Sequence, residues 1–278
     1  MFLRSLRIRQ TILTNFFFTR SFMIFKILGC GSSMGVPRSD GFFGNCDPLN
    51  KKNYRTRCSA ILQTKSENIL FDASPDLRSQ LIDNNIKTID KVFFSHMHAD
   101  QTHGINDLRV FYINKKKPIP VFADLHTKKH LLKTFSYCFA NDDNEYPATL
   151  IMNDIKRKFL IKDGRRRFYI ESLKVQHGRV DSICYLIDNK LAYISDVGKI
   201  FKKDFKYFKK LDYIIIDCLW YRNHPSHFNL DQCLELAKIF LPKKMILTNM
   251  HSDLDYNKLK KRLPRNIIPG YDGLSIKL

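Results

Sequence analysis

The residues best equipped for chemistry lie in one short stretch, Ser95-His96-Met97-His98-Ala99-Asp100-Gln101-Thr102-His103-Gly104. Two His two positions apart on an extended or loop backbone can aim both imidazoles at one ion. An Asp two positions further on can reach a second ion nearby. The spacing differs from the helical HExxH pattern, where the two His sit four apart. A lone HxH is weak evidence. HxHxD directly after the apolar run Val92-Phe93-Phe94, with Gly104 behind it, is a strong signal. Three later residues offer further ligands: His177, Asp196 and His251.

These residues need elements that bring them together. From Met23 onward, short apolar runs alternate with helical patterns. Strands are expected at 23–28, 58–64, 68–72, 90–94, 119–122, 168–176, 182–188, 190–194, 212–217, 244–249 and 274–277. Residues 58–72 read as a hairpin turning at Lys65-Ser66-Glu67-Asn68. Helices are expected at 75–84, 104–113, 125–137, 200–210, 229–241 and 255–262. Each candidate ligand falls just past the carboxyl end of a strand, where open α/β sheets usually build their sites. The pattern predicts a layered α/β protein with one domain over residues 23–278.

Composition sets outer limits. The 278 residues are 44% apolar and 27% charged, enough for one sizeable core. There are 47 Lys plus Arg against 27 Asp plus Glu, a formal charge of +20. Such a balance suits phosphate-bearing partners, although Lys-rich coding bias produces it too. The seven Cys (Cys30, Cys46, Cys58, Cys138, Cys184, Cys218, Cys233) form no CxxC pair. Reduced thiols in a cytoplasmic or organelle-matrix protein are expected. No run of 18 apolar residues exists, so no membrane span is expected. Residues 1–22 hold Arg4, Arg7, Arg9 and Arg20 and no acidic residue. They read as an upstream extension before Met23, or as a mitochondrial targeting peptide, which would place the protein in the matrix.

With HxHxD, His177, Asp196 and His251 in this order, the sequence resembles the metallo-β-lactamase-fold hydrolase superfamily. Its opening Leu28-Gly29-Cys30-Gly31-Ser32-Ser33-Met34-Gly35-Val36-Pro37 is similar to the glycine-rich first loop of the phosphodiesterase branch. That branch includes PhnP-like phosphoribosyl cyclic phosphodiesterases and tRNA 3′-end-processing endonucleases. The resemblance implies an αββα four-layer sandwich with a dinuclear site along one edge. It implies that His96, His98 and His177 hold one divalent ion, Asp100 and His251 a second, and that Asp196 bridges both. The ions would be zinc or manganese, sharing a water whose pKa falls towards about 7. Asp72 matches an acid that supports the His loop from behind. His227 matches the proposed general acid, with Asp100 as the other catalytic residue.

One position departs from the pattern. Where the superfamily motif ends in His, this chain has Gln101. An amide oxygen is a poorer zinc ligand than imidazole, so a weakened second site is expected, with Gln101 a weak oxygen donor. His103 is expected to be structural, His224 a loop residue, and His126 and His130 part of a solvated helix face. Ser32, Ser33, Arg55 and Arg57 are candidates for holding the substrate phosphate. PhnP-like proteins can carry an extra structural zinc on Cys near the first loop; only Cys30 and Cys46 lie there, and none is expected.

The expected substrate is a small cyclic or nucleotide-like phosphodiester. No long Gly/Pro-rich arm stands between His98 and His177, and the segment Asp217-Cys218-Leu219-Trp220 lacks the His-Glu pattern of the tRNA enzymes. RNA as substrate stays open as the alternative. So does a weakly catalytic nucleic-acid-binding module built on the basic clusters Lys156–Arg167, Lys199–Lys210 and Lys258–Arg265. A homodimer also stays open.

Overall fold

Period-two alternation sorts the residues of the first strands onto two faces. In the computed structural model, which describes residues 23–140 and 147–278, Phe25, Ile27, Ala60, Leu62, Ile69, Phe71 and Phe93 enter one core. Their neighbours Leu28, Ile61, Leu70, Val92 and Phe94 enter another. A sheet apolar on both faces must be covered on both. That requirement builds the layers. The segment 1–22 lies outside the described residues.

The first half supplies β1 (Ile24–Gly29), β2 (Ser59–Gln63), β3 (Asn68–Phe71), α1 (Leu77–Asp83), β4 (Lys91–Phe93) and α2 (Ala99–Thr102). It continues with α3 (Arg109–Lys115), β5 (Ile119–Ala123), α4 (Leu125–Thr134), α5 (Ser136–Phe139) and β6 (Leu150–Asp154). The second half supplies β7 (Lys158–Asp163), β8 (Arg166–His177), β9 (Val180–Ile187), β10 (Leu191–Ile194) and β11 (Tyr213–Asp217). Then come α6 (Leu230–Phe240), β12 (Lys244–Thr248), α7 (Tyr256–Arg262), β13 (Ile267–Pro269) and β14 (Ser275–Lys277). One seven-stranded sheet runs β14-β1-β2-β3-β4-β5-β6 and the other β13-β12-β11-β10-β9-β8-β7.

The sheets meet through an aromatic cluster. Phe71 lies 5.1 Å from Tyr185 and 5.7 Å from Phe25, ring centre to ring centre, and Phe25 lies 5.4 Å from Tyr193. Leu77, Leu81, Leu108, Phe111 and Leu131 cover the outer face of the first sheet. Leu230, Cys233, Leu236, Ala237 and Phe240 of α6 cover the second. The architecture is the expected α/β, αββα sandwich. α6 begins with a capping box, in which the Asn229 side chain accepts from Gln232 N and Gln232 Oε1 accepts from Asn229 N.

Three strands were not expected from the sequence: β6, β7 and β13. All three are sheet edges. Their apolar runs, Leu150-Ile151-Met152, Phe159-Leu160-Ile161 and Ile267-Ile268, are only two or three residues long, too short to mark a strand by themselves. β7 lies inside the basic cluster 156–167 and buries only Ile161 and Asp163. The helix expected at 200–210 is a 3-10 stretch, Lys202–Tyr207. Among the described residues, no helix is long and apolar enough to cross a membrane.

Candidate metal centre

Strand pairing brings the distant motifs to one edge. β10, β11 and β12 are parallel, with Ile194 opposite Ile216 and Asp217 opposite Thr248. Asp217 at the end of β11, with Asp196 and His251 just past β10 and β12, therefore emerge side by side. From the first sheet, buried Val92, Phe93 and Phe94 lead into the His loop. The Ser95 carbonyl accepts from Ile183 N at 2.9 Å, and the Phe94 carbonyl from Tyr185 Oη at 2.7 Å. These two bonds pin the loop to β9 across the sandwich. Gly104 closes the motif because a Cβ there would lie 1.9 Å from the Ser74 carbonyl.

Three imidazoles converge at this edge. His96 Nε2 stands 2.9 Å from His98 Nδ1, and His177 Nε2 stands 3.3 Å from the same atom. Nitrogens around a tetrahedral zinc, each at about 2.0–2.1 Å, lie roughly 3.3 Å apart. The cluster thus fits a divalent ion. The outer nitrogens are also held: Ser95 Oγ lies 3.0 Å from His96 Nδ1, and the Ser226 carbonyl lies 2.8 Å from His177 Nδ1. A proton on His177 Nδ1 leaves its Nε2 lone pair for the centre. Burial, aided by neighbouring imidazoles, pushes His96 far below the ordinary His range. It pushes His177 down to about 4, with the charge of His227 adding to the effect. Both stay neutral, as metal ligands must. His96 and His177 are buried and His98 stands exposed at the mouth.

Asp72 lies beneath the loop. It adopts a left-handed backbone (φ 60°), and its Oδ1 accepts from Ser95 N at 2.7 Å. Burial pushes its carboxyl up to about 8 against that hydrogen bond. Asp196 is buried and clasped by two amides: Asn249 Nδ2 donates to Oδ1 at 3.0 Å and Gln101 Nε2 to Oδ2 at 2.9 Å. The Gln101 amide also donates to Asp100 Oδ2 at 3.3 Å. Burial, with the neighbouring carboxylates Asp100 and Asp217, raises Asp196 well above the usual carboxylate range. Among the described residues, two trios of candidate ligand atoms lie mutually within 4.8 Å. They are His96/His98/His177 and His177/Asp196/His227. His251 lines the same cavity but belongs to neither trio.

His227 forms a dyad that the sequence did not reveal. Its Nδ1 lies 2.7 Å from Asp217 Oδ2, which also accepts from Val197 N at 2.9 Å. Burial alone would push this imidazole down. The Asp217 carboxylate, by charge and hydrogen bond, together with Asp196 and Asp100, outweighs burial and holds it at about 9. Asn249, in the left-handed region at φ 57°, stands between the two groups: its Nδ2 donates to Asp196 Oδ1 and lies 3.2 Å from His227 Nδ1. Asp217, Asn249 and the Ser226 carbonyl escaped the sequence reading. Asp217 ends a buried strand, close to where the motif residues follow theirs, and this placement is its signal in the sequence.

The cavity over these groups measures about 320 Å³. Ser32, Ser33, Trp220, His224 and His227 line it; His224 is the expected loop residue, and its loop borders the cavity. Ser32 Oγ is buried there without a partner. Trp220 sits edge-on to His251 at 4.8 Å, with the Arg222 guanidinium 4.3 Å over its ring. The two expected phosphate-binding arginines do not reach this cavity. Arg55 is buried, donating to Asn53 Oδ1 at 3.1 Å and the Leu254 carbonyl at 2.7 Å. Arg57 is forked onto Asp76 at 2.7 and 2.6 Å. Both hold loop structure through these partners, and neither lines the cavity. Gly31 likewise serves packing: its N–H goes to the Thr56 carbonyl, and a Cβ would lie 2.5 Å from the Arg55 carbonyl. His103 is exposed and packs edge-on to Phe135 at 5.4 Å.

The profile of a β-lactamase superfamily domain matches residues 67–250. The chain belongs to the β-lactamase superfamily. A solved diphosphatase of the PhnP family is similar to this superfamily member over 92% of this chain and 97% of its own, at 26% identity and a TM-score of 0.83. The short form of human tRNase Z matches in fold over 91% of this chain and 98% of its own, at 16% identity and a TM-score of 0.62. A Porphyromonas gingivalis protein named octanoyltransferase is 29% identical over 255 residues, covering 89% of this chain and 50% of its own. The chain spans about half the length of that curated relative. The chain has the metallo-β-lactamase fold.

Proposed function

We propose that this protein hydrolyses a small cyclic or nucleotide-like phosphodiester at a metal centre on His96, His98 and His177. The observation that carries the reading is the convergence of the three imidazoles in one cavity with the His227–Asp217 dyad. A divalent ion held there would supply Lewis acidity and would make a water more acidic at neutral pH. The chain supplies the rest. Ser226 holds His177 in the tautomer that presents Nε2. Asp217 holds the Nδ1 proton of His227, leaving Nε2 to give a proton to the departing oxygen. Ser32 Oγ, buried and unpartnered, is placed to donate to a phosphate oxygen. Asp72 and Asn249 keep the loops in register.

A small substrate suits a cavity of about 320 Å³. The similarity to a PhnP-family diphosphatase supports phosphate chemistry. Acyl transfer, the activity named for the P. gingivalis relative, finds less support. That protein is twice as long, and all seven Cys here are buried away from any thioester chemistry. Hydrolysis of bis(p-nitrophenyl) phosphate with added Zn²⁺ or Mn²⁺ tests the proposal. Turnover that disappears in the His96→Ala variant supports it. No turnover, with salt-dependent RNA binding instead, would replace it with the nucleic-acid reading.

A further inference from the structure

We infer that the centre takes one metal ion, on His96, His98 and His177, and that the Gln101 side-chain amide occupies the place of the second. The inference rests on the proposed three-His site. In a two-ion centre, Asp100 and Asp196 would turn their oxygens onto a shared cation. Here they turn them onto Nε2 of Gln101, at 3.3 and 2.9 Å. Gln101 is fully buried, and its amide nitrogen is within hydrogen-bond distance of both carboxylates. The other oxygen of Asp196 is taken by Asn249 Nδ2 at 3.0 Å.

The substitution inverts the chemistry of the position. Imidazole would offer a lone pair to a cation, whereas the amide offers two protons to the carboxylates. A cation shared by these same two oxygens at about 2.0–2.2 Å would compete for the position that Gln101 Nε2 takes between them. Rotating the amide to present Oε1 would aim it at two carboxylate oxygens and lose both charge-assisted hydrogen bonds. Gln101 thus screens the two acids from each other without a cation. His251, the remaining expected ligand, stands outside the compact ligand trios, against Trp220 and 3.5 Å from Asp253.

Metal stoichiometry tests this directly. The full chain is loaded with Zn²⁺, dialysed and measured by native mass spectrometry and elemental analysis. The expected result is one zinc per wild-type chain and none in His96→Ala. Gln101→His and the near-isosteric Gln101→Glu each replace the N–H donor with a ligand, so both are expected to hold two. Two tightly held zincs in the wild type would overturn the inference while leaving the three-His site intact. A count of one in both Gln101 variants, folded by circular dichroism, would also overturn it. No zinc in the wild type would overturn the three-His reading beneath it. The wild-type count decides the matter even if both variants fail to fold.

Discussion

Replacing Asp217 with Asn keeps the size of the side chain and removes the charge that holds His227. Asp217 Oδ2 lies 2.7 Å from His227 Nδ1 in a fully buried position. The environment lifts the imidazole from 6.5 to about 9, which favours the charged form by about 3 kcal/mol. Asp217 provides the largest share of that upward pull. Without it, burial is opposed only by Asp196 and Asp100, and the charged fraction of His227 at pH 7 falls. A neutral imidazole is a poor acid, and general acid catalysis is worth roughly 10²–10⁴-fold. The expected loss therefore depends on the leaving group. For a cyclic phosphate with an alkoxide leaving group, kcat falls roughly 10²–10³-fold. For bis(p-nitrophenyl) phosphate, whose nitrophenolate departs without a proton, the loss stays under about tenfold. Both are measured by steady-state kinetics at pH 7, with zinc content checked in parallel. His227→Ala should behave like Asp217→Asn, with metal retained. Equal losses on the two substrates would refute the assignment of His227 as acid. Loss of zinc would show instead that the dyad is structural.

Gly104→Ala places a Cβ 1.9 Å from the Ser74 carbonyl and 2.9 Å from Leu77 Cβ, so the His loop or α1 must move. Thermal unfolding should show a destabilisation of about 2–3 kcal/mol, with weaker zinc retention. Asp272 accepts from Thr56 N, Thr56 Oγ1 and Cys30 N at 2.7, 2.6 and 3.1 Å, and burial pushes its carboxyl up to about 6. The folded chain holds this proton more tightly than the unfolded chain does. Its contribution is therefore greatest below about pH 4 and is lost as the pH rises through about 6. Denaturant titrations should show wild type losing on the order of 2–3 kcal/mol relative to Asp272→Asn across that window, and parallel curves would exclude the effect. Trp220 is the chain's single tryptophan and lines the cavity beside His251. Its emission should respond to zinc and then to inorganic phosphate, with the response absent in Trp220→Phe.

The ligand pattern was legible because its residues are of rare chemical types placed just past apolar strands. Strand runs, alternation and the α6 cap are local in sequence, and so were the layers they dictate. Among the described residues, the edge strands β6, β7 and β13 escaped, since their apolar runs are only two or three residues long. The arginines show the opposite limit. Arg55 and Arg57 sit two positions apart in a segment that suits phosphate binding, yet one reaches across to Leu254 and the other to Asp76. Nothing local announces either partner.

By itself the sequence determined the αββα class, the His and Asp residues brought to one edge, and the departure at position 101. Tertiary structure alone decided what those residues do for one another. It paired His227 with Asp217, set Asn249 between two motifs, and gave the Gln101 amide to carboxylates as far as 95 positions away. The physical reason is range. Backbone conformation and burial follow from neighbours along the chain, whereas a buried polar group is satisfied by whatever the packed sheets bring within about 3 Å.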